Sequence, residues 1–454
     1  MNTTLYNIPH GAACIIEILK DKGYDAFVVG GCVRDSLLGR EPHDWDICTN
    51  ATPEEVIRWH RFAGAKVLTT GLKHGTVTVI IGNEQYEVTT YRIDGEYTDH
   101  RRPDKVTFTT SLEDDLSRRD FTVNAMAYNP AKGLQDPYGG ACDLRMGLLR
   151  CVGDADQRFK EDALRILRAL RFASTYQFDI ETATAEAIHR NKELLKEISA
   201  ERVRDELCKL LVGSNVKRVL MEYRDVLAVV IHELEQMFGF NQNSPWHCYD
   251  VWEHTVCAVA EAKPNTVLRV AALLHDIAKP SCYAEDEAHV GHFHGHPAGS
   301  AEMAAVILHR LRFDNDTASR VYKLILNHDT YMEVTGKAVR KMLSKLGEDD
   351  FTLFLDLRCA DILAQSEKER KARLEKVSNL RRMASDILKS QQALTLKDLK
   401  INGDALLSLG MKPGPEIGEI LLKLLDAVLE DPECNTKERL LELARSLLKE
   451  EGYV

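Results

Sequence analysis

The sequence predicts an α+β fold, with a strand-bearing N-terminal region followed by an all-helical remainder, and two observations carry the prediction. Up to about residue 150, short apolar segments (AFVVGG, GTVTVII, YEVTTYRI, NAMAYN) alternate with helical ones, the pattern of strands within an α/β layer. Beyond about residue 150, strand signals almost vanish and apolar residues recur at three- and four-residue spacing, as in amphipathic helices. Four stretches follow in order: strands and helices over 1–150, Leu-, Ala- and Arg-rich helices over 151–214, a helical region over 215–370, and a closing stretch over 371–454. The third holds most of the 16 histidines, a bias that points to metal chemistry. The fourth reads as a charged helix, a Gly/Pro-containing turn (NGDALLSLGMKPGPEIG) and two further helices.

The 454 residues carry 59 Lys+Arg against 70 Asp+Glu, a net charge of −11. Hydrophobic residues at 44% and charged residues at 28% exclude a mainly disordered chain. The acidic balance also excludes a protein that coats nucleic acid or membrane by bulk charge, while leaving room for local basic patches. Two such patches stand out: residues 145–171 hold seven basic groups against four acidic ones, and residues 366–382 hold seven against three. The 11 cysteines include no CxxC pair and read as reduced thiols. No secretory leader is legible at the N-terminus, and every apolar run is interrupted by charge before the roughly 18 residues that a membrane span needs. The expectation is a cytoplasmic protein with no membrane partner.

The most informative stretch is Phe27-Val28-Val29-Gly30-Gly31-Cys32-Val33-Arg34-Asp35, followed by His43-Asp44-Trp45-Asp46-Ile47. A strand that runs into Gly30 and Gly31 and then a helical segment brings backbone N–H groups toward phosphates, and Arg34 can pair with phosphate oxygens. On a strand, Asp44 and Asp46 project to the same side with Cα atoms roughly 7 Å apart. Two carboxylates so placed can hold one or two magnesium ions and serve phosphoryl transfer. Glu87, in the apolar segment YEVTTYR, is a candidate third catalytic carboxylate.

Farther on, Arg118-Arg119-Asp120 precedes FTVNA. Arg119 can serve triphosphate or base, and Asp120 can accept from a ribose 2′-hydroxyl. Asp162, Arg165, Arg168 and Arg171 recur every third residue and read as neighbours on one helix face. Cytosine and adenine both present an amino donor beside a ring-nitrogen acceptor, whereas uracil and guanine present a carbonyl beside a ring N–H. A carboxylate at Asp162 and a guanidinium at Arg165 would therefore admit C and A and reject U and G.

These motifs together (GGCVRD, DWD, RRDFTVNA, DPYGG…DLRMG…LR, RFKEDALRILRALRFA and ERVRDEL) resemble, in order and spacing, the class II CCA-adding tRNA nucleotidyltransferases and the related bacterial poly(A) polymerases. The resemblance implies a nucleotidyltransferase head with a mixed β-sheet over 1–150, a helical neck over 151–214 that reads the incoming base, and a helical body and tail, the tail over 371–454 holding tRNA. It implies that Gly30, Gly31, Arg34, Arg119, Asp120, Asp162, Arg165, Arg168 and Arg171 bind nucleotide, CTP or ATP, and that Asp44 and Asp46 bind Mg2+. Glu201, Arg202 and Arg204 would brace the base-reading helix. The intact charged segment from Arg92 to Asp104 and the chain following ERVRDEL favour complete CCA addition to tRNA over poly(A) synthesis or partial, CC- or A-only, addition.

The segment RVAALLHDIAKP, an apolar helix ending in His275-Asp276, resembles the HD superfamily of metal-dependent phosphohydrolases. In that pattern His254, His275, Asp276 and a late aspartate, best matched by Asp361, bind a divalent ion, and His296 and His328 complete a second metal position. An accessory phosphohydrolase activity, or an HD phosphohydrolase as the main activity, remains open at this stage.

Overall fold

The computed structural model describes residues 8–95 and 105–451. The chain divides into two compact units, Met1–Glu235 and Gln236–Val454. The expected stretches 1–150 and 151–214 fall in the first unit and 371–454 in the second, while 215–370 straddles the division. Of the charged segment Arg92–Asp104, residues 96–104 lie outside the described residues.

In the first unit, β1 (Ala26–Val29), β2 (Ile47–Thr49), β3 (Lys66–Leu68), β4 (Thr76–Ile81), β5 (Glu84–Thr90), β8 (Ala127–Asn129) and β9 (Gly133–Gln135) form one sheet ordered β3-β4-β5-β2-β1-β8-β9. The strands β6 (Arg92–Asp94) and β7 (Val106–Phe108) pair separately. The seven-stranded sheet is mixed: β2 and β5 run parallel, with Ile47 beside Val88, and the other pairings are antiparallel. All four residues of β1 are buried, because the sheet is covered on both faces at its centre. Phe27 and Val29 join Cys48, Tyr91, Leu116 and Ala127 in one apolar cluster. The helices His10–Asp21 and Pro53–Phe62 pack together and against the sheet. The second begins in a capping box, with the Thr52 hydroxyl accepting from the Glu55 N–H and the Glu55 carboxylate accepting from the Thr52 N–H.

Past residue 150 the first unit is helical, with one addition that periodicity did not reveal. Leu148–Leu149 and Asp179–Ile180 form a two-residue parallel pair. The run expected as one helical face from Asp162 to Arg171 is also interrupted. One helix ends at Glu161, Asp162 is extended (φ −140°, ψ 100°), and a new helix runs Leu164–Tyr176. The Asp162 carboxylate accepts from the Leu164 N–H at 3.1 Å, a local bond that competes with continuous helix. Leu164–Tyr176 packs along Ala200–Leu211, the helix that carries ERVRDEL.

In the second unit, Val251–Glu261, Thr266–Leu274, His296–Arg310, Asn315–Asn327 and Glu348–Ala364 pack around one another. A short hairpin of Ala284–Glu285 and Gly291–His292 lies between two of them. After the 20-residue helix Arg370–Lys389, the closing helices build a separate core from Leu406, Ile420, Leu424, Val428, Leu440, Ala444 and Leu448. Buried Arg340 donates to the Leu429 and Glu430 carbonyls at 2.8 and 3.0 Å, satisfying the C-terminal end of helix Glu416–Glu430. Among the described residues, no helix is long and apolar enough to cross a membrane.

Candidate active site

At the end of β1 the chain turns through Gly30, whose φ of +79° is left-handed space that side chains rarely enter. A Cβ at Gly30 would also stand 3.0 Å from an Arg119 terminal nitrogen and would press that guanidinium back by a few tenths of an ångström. At Gly31 an added Cβ would meet only ordinary contact at 3.6 Å from Arg34. The turn delivers Arg34 on the helix Gly31–Leu37, where its guanidinium is almost fully buried and held on every side. It donates to the Asn124 side-chain amide oxygen at 2.5 Å, to both Asp35 oxygens at 2.9 and 3.0 Å, and to the Tyr176 hydroxyl at 2.8 Å. The Phe172 and Tyr176 rings lie 5.0 and 4.7 Å from it.

Asp44 and Asp46 do not lie on β2 as expected but in the extended segment just ahead of it. The ladder nonetheless reaches that far, because the Val29 N–H donates to the Asp46 carbonyl at 2.9 Å. The parallel register of β2 and β5 continues backwards to set Asp46 beside Glu87. Both aspartates open into the cleft, yet the walls crowd Asp46. Burial first, then the charges of Glu87 and Asp44, push its carboxyl up to about 6 against the opposing pull of Arg119. The charges of Glu87 and Asp44 thus act on Asp46, and oxygen donors of this kind suit a divalent cation.

Arg119 donates to buried Asp115 at 3.3 Å, while its buried Nε has no hydrogen-bond partner. Asp120 is fully engaged: it accepts from Arg168 at 2.9 and 2.5 Å, from the Asn124 amide at 2.9 Å and from the Phe121 N–H at 2.8 Å. Although burial opposes the charge, Arg168 and Asn124 hold the Asp120 carboxyl well below the usual carboxylate range. Arg171 pairs with Glu206 at 3.1 Å.

A cleft of about 710 Å³ joins Gly30, Gly31, Arg34, Asp44, Asp46, Arg119, Asp120, Arg168 and Arg171, together with Asn124, Tyr176 and Lys209. Asp162, Arg165 and the candidate third carboxylate Glu87 are not among its lining residues. Arg202 grips Asp162 at 2.8 and 3.3 Å, while Arg165 donates to Glu161 at 2.7 Å and to the Arg158 and Arg118 carbonyls at 3.1 and 2.9 Å. Within ERVRDEL, Arg202 therefore reaches Asp162 in the segment expected to read the base, Arg204 pairs with its neighbour Asp205, and Glu201 is exposed. Glu206, which sequence reasoning passed over, holds Arg171. Its i,i+4 offset from Arg202 was the available signal. Asn124 was visible as the amide of RRDFTVNA, whereas Tyr176 and Lys209 carried no comparable signal, since they reach the cleft only through the tertiary fold.

In the second unit the expected histidines and aspartates come together. Asp276 Oδ2 stands 3.3 and 3.2 Å from His254 and His275 Nε2, and Asp276 Oδ1 stands 3.4 and 3.6 Å from His296 and His328 Nε2. Asp361 Oδ1 is 3.1 Å from His254. Each of the four imidazoles turns Nδ1 toward a backbone carbonyl, of Ala364, Ala272, Phe293 and Ile325 respectively, at 2.7–3.3 Å. A carbonyl only accepts, so the proton sits on Nδ1 and the Nε2 lone pairs face inward, the orientation metal-ligating histidines adopt. The inward nitrogens meet in pairs at 3.3 Å (His254, His275) and 3.2 Å (His296, His328), contacts that repel without a cation between them. Burial opposes a charge on His254, yet hydrogen bonding to Asp276 and Asp361 pushes it up to about 9. The donor sets His254/His275/Asp276 and Asp276/His296/His328 thus fit two cations that share one carboxylate. Lys279 approaches the same carboxylate at 2.7 Å.

The mixed sheet, the Gly-Gly turn and the carboxylate-and-arginine cleft define a nucleotidyltransferase. Residues 26–150 match the Poly A polymerase head domain, residues 177–237 the RNA and SrmB-binding site of polymerase A, and residues 298–444 domain 2 of tRNA nucleotidyltransferases. The chain belongs to the CCA-adding enzyme family. It is 33% identical to the CCA-adding enzyme of Lactobacillus delbrueckii subsp. bulgaricus over 94% of its own length and 95% of that protein. Against the CCA-adding enzyme of Ligilactobacillus salivarius it is 33% identical over 96% of each chain. Its fold matches that of the Bacillus stearothermophilus CCA-adding enzyme in complex with CTP, with a TM-score of 0.71, 29% identity and coverage of 97% and 98% of the two chains.

Proposed function

We propose that this chain adds CCA to the 3′ end of tRNA from CTP and ATP, releasing pyrophosphate. The observation that carries the reading is the head cleft itself, in which Gly30, Arg34 and Arg119 face Asp44 and Asp46 within a chain of the CCA-adding family. Asp44 and Asp46, with Glu87 alongside, would hold magnesium. When bound, it would lower the pKa of the attacking tRNA 3′-hydroxyl and offset charge on the phosphates. Arg34, with four of its N–H groups held by Asn124, Asp35 and Tyr176, would present the remaining one and its positive charge to the triphosphate without reorganisation. The Arg119 guanidinium, which also lines the cleft, is a second donor for the same oxygens. Asp120 fixes Arg168 at the cleft wall, a positioning role, and its own lone pairs are largely committed.

Base choice falls to Asp162 and Arg165. Arg202 occupies one edge of the Asp162 carboxylate and leaves lone pairs for the amino group of C or A. Of the five N–H donors of Arg165, three meet Glu161, Arg158 and Arg118, leaving two for a ring nitrogen. The test is incorporation on tRNAs ending at the discriminator base, at C and at CC, read by mass after incubation with each nucleotide. The reading requires CTP to serve the first two acceptors and ATP the third, and extended A addition on the last would overturn it in favour of poly(A) synthesis.

A second reading concerns the other unit, and the four inward-facing Nε2 atoms around Asp276 favour it. His254, His275, Asp276 and Asp361 would hold one divalent cation, and His296 and His328 a second, forming an accessory phosphohydrolase centre in the HD manner. Metal bound there would supply an activated water for attack on phosphorus. Retention of about two equivalents of Mn2+ by the purified chain after gel filtration, lost on Asp276→Ala, tests it.

A further inference from the structure

The cations of the head cleft are of two kinds. Four arginines line it, and each is held by a carboxylate of its own: Arg34 by Asp35 at 2.9 Å, Arg119 by Asp115 at 3.3 Å, Arg168 by Asp120 at 2.5 Å and Arg171 by Glu206 at 3.1 Å. Lys209 lines the same cleft and is exposed, and its ammonium has no carboxylate within 4.0 Å and no hydrogen-bond partner among the described residues. Each arginine shares its charge with a partner, whereas Lys209 adds a positive charge that no adjacent carboxylate offsets.

Two helices act as a ruler for where that charge stands. Ala200–Leu211 runs beside Leu164–Tyr176 in the same direction: Arg202 meets Asp162, Glu206 meets Arg171, and the Ser174 hydroxyl donates to the Leu210 carbonyl at 2.7 Å. At 1.5 Å per residue, Lys209 lies about 10 Å farther along than Arg202. The Asp162 end is where the proposed function puts the base. The opposite end belongs to phosphate, since Tyr176, the last residue of its helix, accepts from Arg34 at 2.8 Å. The wall there is fixed: a Cβ on Gly213, in the turn after Leu211, would stand 2.1 Å from Ser174 Oγ, so the two segments meet with no room for a side chain between them.

A nucleotide laid with its base toward Asp162 and its α-phosphate toward Asp44 and Asp46 has only its outer phosphates left to reach this end. We propose that Lys209 contacts the terminal phosphate of bound CTP or ATP, so that helix Ala200–Leu211 grips the part of the nucleotide that leaves as pyrophosphate. The assignment rests on the reading of CTP and ATP as substrates. A compact ammonium on a flexible stem suits a phosphate that must be released after each addition, where a clamped arginine would hold on. A nucleoside monophosphate fills the base and sugar positions and leaves the lysine unmatched.

Calorimetric titration of the full chain with CTP, CDP and CMP at fixed Mg2+ tests this. Lys209→Ala is expected to weaken CTP binding about tenfold, as loss of one charge-assisted contact requires, and CMP binding less than twofold. Lys209→Arg, which keeps the charge, is expected to recover most of the CTP affinity. In steady state, KM for CTP and for ATP should rise by about the same factor, with kcat changed less than KM and KM for tRNA unchanged. In the reverse reaction a pyrophosphate oxygen attacks the last phosphodiester and the tRNA 3′-oxygen leaves, and KM for pyrophosphate should rise likewise. Circular dichroism and the melting temperature establish that each variant is folded. Unchanged CTP affinity in folded Lys209→Ala would overturn the proposal, as would equal loss for CTP and CMP, the mark of a structural role. A rise in KM for tRNA alone would also overturn it and assign the lysine to the RNA backbone, and a wild type that binds CTP no tighter than CMP would do the same to the contact itself. If CTP is preferred over CMP and the preference is lost with Lys209, while tRNAs lacking their 3′ ends gain no nucleotide, the proposed function fails and this contact stands.

Discussion

Replacing Asp120 by asparagine tests whether the cleft wall is built on a buried ion pair. The carboxylate is 8% exposed and accepts four hydrogen bonds, two of them from Arg168 at 2.9 and 2.5 Å. Asparagine keeps the shape but removes the charge and turns one acceptor into a donor, and either orientation leaves a guanidinium or an amide facing an N–H. Breaking a buried pair by removing one partner costs about 3–5 kcal/mol. The Arg168 side chain is 32% exposed, so water recovers part of that, and about 3 kcal/mol is expected. Removing both partners, in Asp120→Asn/Arg168→Met, relieves the stranded charge and should restore at least about 1 kcal/mol of the loss. Urea unfolding of the full chain, followed by a probe in the first unit, reads these differences from midpoint and slope.

The pH dependence follows from the same pair. The folded Asp120 carboxyl lies below its unfolded value near 3.9, so its contribution is complete above that value and fades as pH falls through the folded one. The gap between wild type and Asp120→Asn should stay flat from pH 5 to 8 and narrow below about pH 4. A cost under about 1 kcal/mol at pH 7, or a double variant no more stable than the single one, would refute the reasoning.

Four further outcomes follow. Asp46→Asn should reduce nucleotide transfer at least 10³-fold on both CTP and ATP while leaving the melting temperature within a few degrees, checked by single-turnover incorporation. Because the Asp46 carboxyl stands at about 6 and holds a cation only when ionised, apparent Mg2+ affinity in wild type should fall about tenfold per pH unit below that value and level off above it, read by Mg2+ titration of the rate. Asp162→Ala should raise UTP and GTP incorporation relative to CTP and ATP without changing Mg2+ dependence. Arg202→Ala, which frees the same carboxylate, should shift base choice less than Asp162→Ala, and selectivity ratios from competing nucleotides decide both.

Much of the head was legible because its chemistry sits in short contiguous strings. Gly30 and Arg34 lie four residues apart, and the turn between strand and helix needs nothing distant to form. The residues that fix these groups were less visible. Asn124 and Tyr176 hold Arg34 from 90 and 142 residues away, separations at which no local pattern survives. The break at Asp162 was missed because its side chain bonds the Leu164 N–H, and a three-residue recurrence of charges looks the same whether or not the backbone is continuous. In the second unit, the histidine count suggested metal chemistry, and His275-Asp276 marked one end of it. Which histidine faces which carboxylate oxygen depended on five segments converging on Asp276, something spacing alone does not encode.

The lone parallel pairing in the head sheet has a consequence for how the site comes into being. Strands that run the same way cannot be joined by a tight turn, so the chain between Thr49 and Glu84 must cross over before β5 can dock beside β2. Asp46 therefore emerges from the ribosome well before Glu87 can stand next to it. A nascent chain that presents the Gly30 turn and Asp44 is still without its third carboxylate, and the cluster proposed to hold the cation is complete only when the crossover closes. Arrested chains of increasing length should accordingly gain head-cleft Mg2+ affinity in one step after β5 clears the exit tunnel, not gradually as each aspartate appears.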